Sequence, residues 1–224
     1  MIRVREVTHR YGDRVVLDSI DVELTERRIG IVGANGSGKS TFARLLNGLV
    51  IPTHGRVEVD GFDTRTHGRE VRRRVGFVFT DPEAQVVMPT VAEDVALGLR
   101  RLGLPRAEVA QRVSQTLTRF GLAEYADHPA HLLSGGQLQL LALASVLVTE
   151  PRTLVCDEPT TLLDLRNARM VTELLASLPQ QVILVTHHLD LLAGFERVLV
   201  LHEGRVVADA GASEAVAFYR RLVA

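Results

Sequence analysis

Residues 29–46 read Ile29-Gly30-Ile31-Val32, then Gly33-Ala34-Asn35-Gly36-Ser37-Gly38-Lys39-Ser40, then Thr41-Phe42-Ala43-Arg44-Leu45-Leu46. The first four make the short apolar run of a buried strand, and the last six fit the opening turns of a helix. Between them lies the pattern GxxxxGKS, which binds phosphate when a strand precedes it and a helix follows. Gly33, Gly36 and Gly38 let backbone N–H groups face one concavity, with Ala34, Asn35 and Ser37 between them. The helix N-terminus adds a partial positive charge, and Thr41 continues the helix. Ser40 is placed to offer its hydroxyl to Mg²⁺. An α/β nucleotide-binding fold is expected.

Lys39 is the only lysine among 26 basic residues; the others are arginines. A lysine-avoiding composition keeps one where a compact ammonium on a flexible stem must sit beside phosphates. A guanidinium fork would overfill that nest. The net charge of −1 lacks the basic excess of a nucleic-acid-binding surface. The single cysteine, Cys156, cannot form an internal disulfide and reads as a small buried residue. The start, Met1-Ile2-Arg3-Val4-Arg5-Glu6, alternates like a strand rather than a secretion signal. The largely apolar run Leu140–Val148 is far shorter than the ~20 residues that cross a bilayer. These features predict a cytosolic protein that reaches the membrane only through partners.

Three stretches follow along the chain. Up to about residue 80 the pattern is strand-like around the phosphate loop. Val91–Leu102, Arg106–Phe120 and Gly135–Thr149 carry helical apolar spacing. From Thr153 the chain returns to βα alternation, with strands at Leu154-Val155-Cys156, Val182–Val185 and Val198–Leu201. The expected arrangement is one domain over 1–224, a nucleotide-binding core of 1–87 and 151–224, and a helical insert over 88–150.

Two further constellations carry chemistry. Arg152–Cys156 followed by Asp157-Glu158 is an apolar strand ending in two acids, which places Asp157 at the carboxyl edge of a parallel sheet where ligands sit. Beside a phosphate loop such an Asp holds Mg²⁺, and the following glutamate is placed to orient or deprotonate attacking water. Leu133-Ser134-Gly135-Gly136-Gln137 precedes a helix, with Ser134 as its N-cap and glycines that permit close backbone approach. With these motifs together the chain resembles the ATP-binding-cassette (ABC) ATPases over essentially its full length. The resemblance implies a P-loop NTPase fold, a RecA-like core with an N-terminal antiparallel β subdomain and an inserted α-helical subdomain.

By that resemblance, Tyr11 matches the aromatic that stacks on adenine, and Gly33–Thr41 match the Walker A loop. Leu154–Asp157 with Glu158 match Walker B and its catalytic glutamate, Asp164 ends the D-loop, and His187 matches the switch histidine at the γ-phosphate. Ser134, Gly135, Gly136 and Gln137 match the signature that closes over the nucleotide of a second subunit. Two positions depart from the family. Thr80 stands where the Q-loop glutamine is usual, still able to offer an oxygen to Mg²⁺ or its water, and Leu140 replaces a usual basic residue. Within the family, Thr80-Asp81-Pro82-Glu83-Ala84-Gln85 and the acidic segment Val91–Gly98 are similar to the energy-coupling-factor (ECF) importers of vitamins and metal ions. The short chain is similar to their biotin-importer branch.

These expectations combine into one activity: ATP hydrolysis with Mg²⁺, in a homodimer that sandwiches two ATP molecules. The implied partners are a transmembrane coupling subunit and a substrate-binding membrane subunit, with this chain peripheral at the cytoplasmic face. The 25 residues between Arg74 and Arg100 hold no basic side chain but include Asp81, Glu83, Glu93 and Asp94. They read as a groove for a basic helix of the membrane partner, with Gln85 as a relay to the nucleotide. Alternatives are another type of ABC importer or exporter, an ABC ATPase acting on nucleic acid, or a nucleotide-binding subunit without turnover. The second lacks a basic excess and a long coiled coil, and Glu158 and His187 speak against the third.

Overall fold

The computed structural model describes Met1 to Ala224. In chain order the strands are β1 (Ile2–Tyr11), β2 (Arg14–Leu24), β3 (Arg28–Val32), β4 (His54–Val59), β5 (Phe62–Asp63), β6 (Val75–Val78), β7 (Thr153–Asp157), β8 (Gln181–Val185), β9 (Arg197–His202) and β10 (Arg205–Ala210). The helices are α1 (Lys39–Leu46), α2 (Gly68–Arg74), α3 (Val91–Leu99), α4 (Arg106–Arg119), α5 (Gly135–Leu147), α6 (Leu165–Ser177) and α7 (Ala212–Leu222).

The strands form two sheets. One has the order β2-β1-β4-β5, with antiparallel neighbours; the other has the order β10-β9-β3-β8-β7-β6. In the second, β3 runs parallel to both β8 and β9, and β7 parallel to β8. Every residue of β3 and β7 is buried. That explains the apolar runs Ile29–Val32 and Leu154–Cys156 at their centres, because a strand covered on both faces has no polar side to alternate with. The carboxyl ends of β3, β7 and β8 therefore lie side by side, and the turns after them carry the phosphate loop, Asp157-Glu158 and His187.

The antiparallel sheet changes phase midway. Ile2 and Val4 of β1 point inward, and then a bulge at Glu6, in the left-handed region at φ 48°, moves the buried positions to Val7 and His9. An inserted residue of this kind re-aims every side chain beyond it.

The chain divides into two compact units. One comprises Met1–Phe77, Arg152–Glu158 and Leu178–Ala224; the other comprises Val78–Pro151 and Pro159–Ser177. The helical unit thus starts before residue 88 and also takes α6, which the sequence placed with the core. Its centre is α5, buried almost all round through Leu138, Leu140, Leu141, Leu143 and Leu147. Leu140, where the family usually has a basic residue, is a packed core position here. No helix of the structure is long and apolar enough to cross a membrane.

Candidate functional site

The phosphate loop occupies the turn between β3 and α1. Its last residue before the helix, Gly38, has φ 100° and no side-chain cap, so the first N–H groups of α1 have no side chain closing over them. A Cβ at Gly38 would lie 2.7 Å from Leu17 Cδ2 and 2.8 Å from the Val16 carbonyl. Both the dihedral and the close β2 backbone demand glycine there. Lys39 is buried; its Nζ donates to the carbonyls of Gly33 at 2.9 Å and Ala34 at 3.0 Å, spanning the loop from inside. Burial holds its pKa below the ordinary lysine range, opposed by the negative charges of Glu158 and Asp157.

Ser40 donates its hydroxyl to Asp157 Oδ1 at 2.9 Å, joining the start of α1 to the end of β7. Asp157 is 1% exposed, and Arg44 approaches its other oxygen at 3.9 Å. Burial raises the Asp157 pKa above the usual carboxylate range, while the Ser40 hydrogen bond pulls it back. The pair offers two hard oxygen donors. No cluster of three or more His, Cys, Asp or Glu side chains exists in the chain to cage a metal alone. That donor set suits Mg²⁺, which binds through one or two protein oxygens and completes its shell with phosphate and water.

Glu158 sits in the left-handed region at φ 52°, an arrangement that costs a non-glycine residue free energy and is found where a side chain must be aimed. Its N–H is held by the Val185 carbonyl at 2.9 Å. Its Oε2 lies 2.9 Å from Nδ1 of His187, so carboxylate and imidazole form a pair at adjacent strand ends. His188 stacks on His187 at 4.0 Å between ring centroids. Cys156 is fully buried, and burial pushes its thiol far up in pKa, which leaves it unreactive. Tyr11, half exposed, ends β1 in the same unit as the phosphate loop.

The helical unit holds the remaining predicted residues. Ser134 is the N-cap of α5 and shares a capping box with Gln137: Gln137 N–H donates to Ser134 Oγ at 3.4 Å, and Ser134 N–H to Gln137 Oε1 at 2.9 Å. Gly135 has open space beside it, whereas a Cβ on Gly136 would meet the Asn167 side chain at 2.5 Å. Asn167 is held in turn by Asp164, whose Oδ1 accepts its N–H at 2.8 Å and whose Oδ2 accepts its Nδ2–H at 3.2 Å. Asn167 escaped the sequence reading; its signal was the Asp164-x-x-Asn167 spacing of a capped helix start.

In the stretch between Arg74 and Arg100, Asp94 differs from expectation, while Gln85 and Glu93 have local partners. Gln85 Oε1 accepts from the Phe79 N–H at 3.0 Å and its Nε2 donates to the Ala142 carbonyl at 3.2 Å, tying the loop to α5. Asp94 is buried at 3% exposure and accepts from Val87 N–H, Met88 N–H and the Ser145 hydroxyl, so it cannot face a partner. Glu93 closes a capping box with Thr90. Asp81, Glu83 and Glu93 remain as exposed acids, and Thr80 is half-buried.

Comparison with known proteins agrees with this geometry. The ABC transporter family model matches residues 17–161. The chain is 52% identical to the biotin transport ATP-binding protein BioM of Rhizobium etli over 96% of this chain and 95% of the relative. Other relatives carry the names of cobalt import and energy-coupling factor transporter ATP-binding proteins. Among solved structures, CbiO1 of Clostridium perfringens, described as part of the ABC transporter complex CbiONQ, matches with TM-score 0.85 and 33% identity over 96% of this chain and 90% of that one. A dimeric ATP-binding cassette in a post-hydrolysis state with ADP and Pi matches with TM-score 0.83 and 29% identity over 95% and 99%. The chain belongs to the ABC transporter family, as an ATP-binding, ATP-hydrolysing subunit of the kind found in ECF-type importers.

Proposed function

We propose that two copies of this chain clamp two ATP molecules and drive an ECF-type importer, with a vitamin of the biotin class as cargo. The observation that carries the reading is the convergence of Lys39, Ser40, Asp157, Glu158 and His187 at neighbouring strand ends, in a chain that also has a complete Leu133–Gln137 signature. A symmetric dimer then has everything needed for two composite sites.

In this reading Lys39 exchanges its carbonyl partners for β- and γ-phosphate oxygens, and the open N–H groups of α1 hold the rest of the chain of phosphates. Ser40 and Asp157 would hold Mg²⁺; the ion would supply charge neutralisation on the phosphate oxygens. Glu158 accepts a hydrogen bond from the attacking water and sets its line of approach. His187 keeps Glu158 oriented through the 2.9 Å contact of its Nδ1, which leaves its other ring nitrogen for the γ-phosphate. Ser134 of the second copy, with Gly135, Gly136 and Gln137, completes the phosphate shell, and Asp164 braces Asn167 at the start of α6. Tyr11 stacks on adenine.

The membrane partners would be a transmembrane coupling subunit and a substrate-binding subunit, with this chain at the cytoplasmic face. The exposed acids Asp81, Glu83 and Glu93 form the docking surface for a basic helix of the coupling subunit, without the buried Asp94. The biotin reading rests on the 52% identity to BioM. The test is to co-purify the chain with its membrane subunits, identify the small molecule retained, and measure phosphate release with and without it. Retention of biotin supports the proposal; retention of a metal ion or an unrelated solute removes the cargo assignment while leaving the ATPase intact.

A further inference from the structure

We propose that His9 is a positioning residue for adenine recognition, its buried ring holding Tyr11 in the orientation that stacks on the base. The inference rests on the assignment of Tyr11 to adenine made above. His9 is 7% exposed, and neither ring nitrogen meets a protein hydrogen-bond partner. Burying an imidazole without partners is costly, so its place in the fold calls for a reason other than hydrogen bonding. The ring itself supplies one. Its centroid lies 4.6 Å from that of Tyr11 with the planes at 84°, the T-shaped arrangement that aromatic pairs prefer.

The geometry follows from the bulge in β1. Beyond Glu6 the odd-numbered positions turn to one face, which brings Val7 and His9 inward and sets Tyr11, two residues on, beside His9. Backbone contacts fix where the turn sits: Arg10 N–H donates to Thr53 Oγ1 at 3.1 Å, and the Arg10 guanidinium donates to the Asp13 carbonyl at 2.7 Å. These anchor the main chain around Tyr11 but do not set its χ angles. His9 packs against the ring itself and can set them.

The same strand pair reaches the phosphate loop. His9 stands opposite Leu17 in the β1–β2 register, and Leu17 lies against Gly38. The distance from the tyrosine to the bound phosphates is thereby set by packed, directly paired residues: Tyr11 on His9, His9 across from Leu17, Leu17 on Gly38. A base stacked on Tyr11 and a triphosphate seated at Gly38–Lys39 would then be measured by one ruler. Without the His9 ring the half-exposed tyrosine samples several rotamers and must be ordered each time a nucleotide binds.

The experiment is calorimetric titration of the full chain with Mg-ATP and, separately, with Mg-tripolyphosphate, which has the phosphates and no base. His9→Leu, which fills the volume without a ring, should weaken ATP binding about three- to tenfold and leave tripolyphosphate affinity unchanged. His9→Phe should restore ATP affinity to within about twofold, because the ring and not its nitrogens does the positioning. In His9→Leu/Tyr11→Ala, ATP should bind no more weakly than in Tyr11→Ala alone. Unchanged ATP binding in His9→Leu, equal losses for both ligands, or additive losses in the double variant would each overturn the proposal. If Tyr11→Ala leaves ATP affinity intact, the adenine assignment itself fails and the proposal falls with it. If Tyr11→Ala loses affinity but His9→Leu does not, only the role of His9 falls. Should His9→Leu and His9→Met both fail to fold while His9→Phe folds, His9 is a core residue and the proposal is likewise overturned.

Discussion

Two helices of this protein begin at glycine-rich turns, and they begin in opposite ways. At α1 the N-cap is Gly38, in a left-handed conformation, with no side chain closing over the first N–H groups. At α5 the N-cap is Ser134, which closes a capping box with Gln137. One start is a ready anion site. The other satisfies itself and leaves open space beside Gly135. In the proposed clamp, the difference separates a surface that would capture phosphate from one that would be presented to something already captured. The titratable groups divide in the same way. Lys39 and Asp157 are buried with shifted pKa values, whereas Asp164 in the helical unit uses both its oxygens on Asn167.

The largest expected effect breaks the α1 start. Lys39→Arg should abolish ATPase activity although the charge is kept, because the buried nest between the Gly33 and Ala34 carbonyls fits an ammonium and not a planar fork. Turnover above about a tenth of the wild-type rate would show that charge alone suffices there. Glu158→Gln comes next. It should lower hydrolysis by about a hundredfold or more while ATP still binds, since the change removes the water-directing carboxylate and leaves the phosphate nest untouched. The variant should accumulate as a dimer in size-exclusion chromatography with Mg-ATP. A variant that carries ATP and runs as a monomer would sink the two-copy clamp.

Changing the α5 start should leave capture alone. Gly136→Ala places a methyl within 2.5 Å of the Asn167 side chain, which Asp164 prevents from yielding freely. A destabilisation of about 1–2 kcal/mol is expected from overpacking. ATP affinity of the isolated chain should stay at the wild-type value while turnover falls. A matching loss of ATP affinity would mean that the two helix starts are not separate in function.

How much of this was legible in the sequence follows the same division. The phosphate loop and the Thr153–Glu158 strand could be read because their chemistry sits in consecutive residues and buried strands announce themselves as apolar runs. The helices Val91–Leu99, Arg106–Arg119 and Gly135–Leu147 carried their spacing openly, each ending within a few residues of where the pattern did. Helix α2, Gly68–Arg74, was invisible because Val71 is its only buried residue, too little for a stripe. The Glu158–His187 contact was out of reach, because it depends on β7 and β8 being neighbours. Asp94 was misread for a related reason. In sequence an acid inside an acidic helix looks like surface, and only the fold brings Val87, Met88 and Ser145 around it. Buried polar groups find partners, and those partners are set by tertiary structure.

The smallest expected effect tests what remains of the acidic surface. Of the four acids between Arg74 and Arg100, Asp94 is an internal brace, Glu93 is exposed but engaged in the Thr90 capping box, and Asp81 and Glu83 lie in solvent on the turn before it. Asp81 also accepts the Glu83 N–H at 2.9 Å, so Asp81→Asn keeps an oxygen for the turn while losing the charge. Asp81→Asn/Glu83→Gln should therefore fold and bind ATP normally. Charges at the rim of an interface act on association rate and salt dependence more than on final affinity. Capture of the membrane subunits should weaken by less than about tenfold, and the deficit should be largest at low salt and fade as salt screens the wild-type attraction. Asp94→Asn serves as the contrast, because it should lower the melting temperature whether or not the membrane subunits are present. If the double variant assembles at wild-type yield in low salt, the two acids are a solvated turn, and the coupling subunit must grip the chain elsewhere.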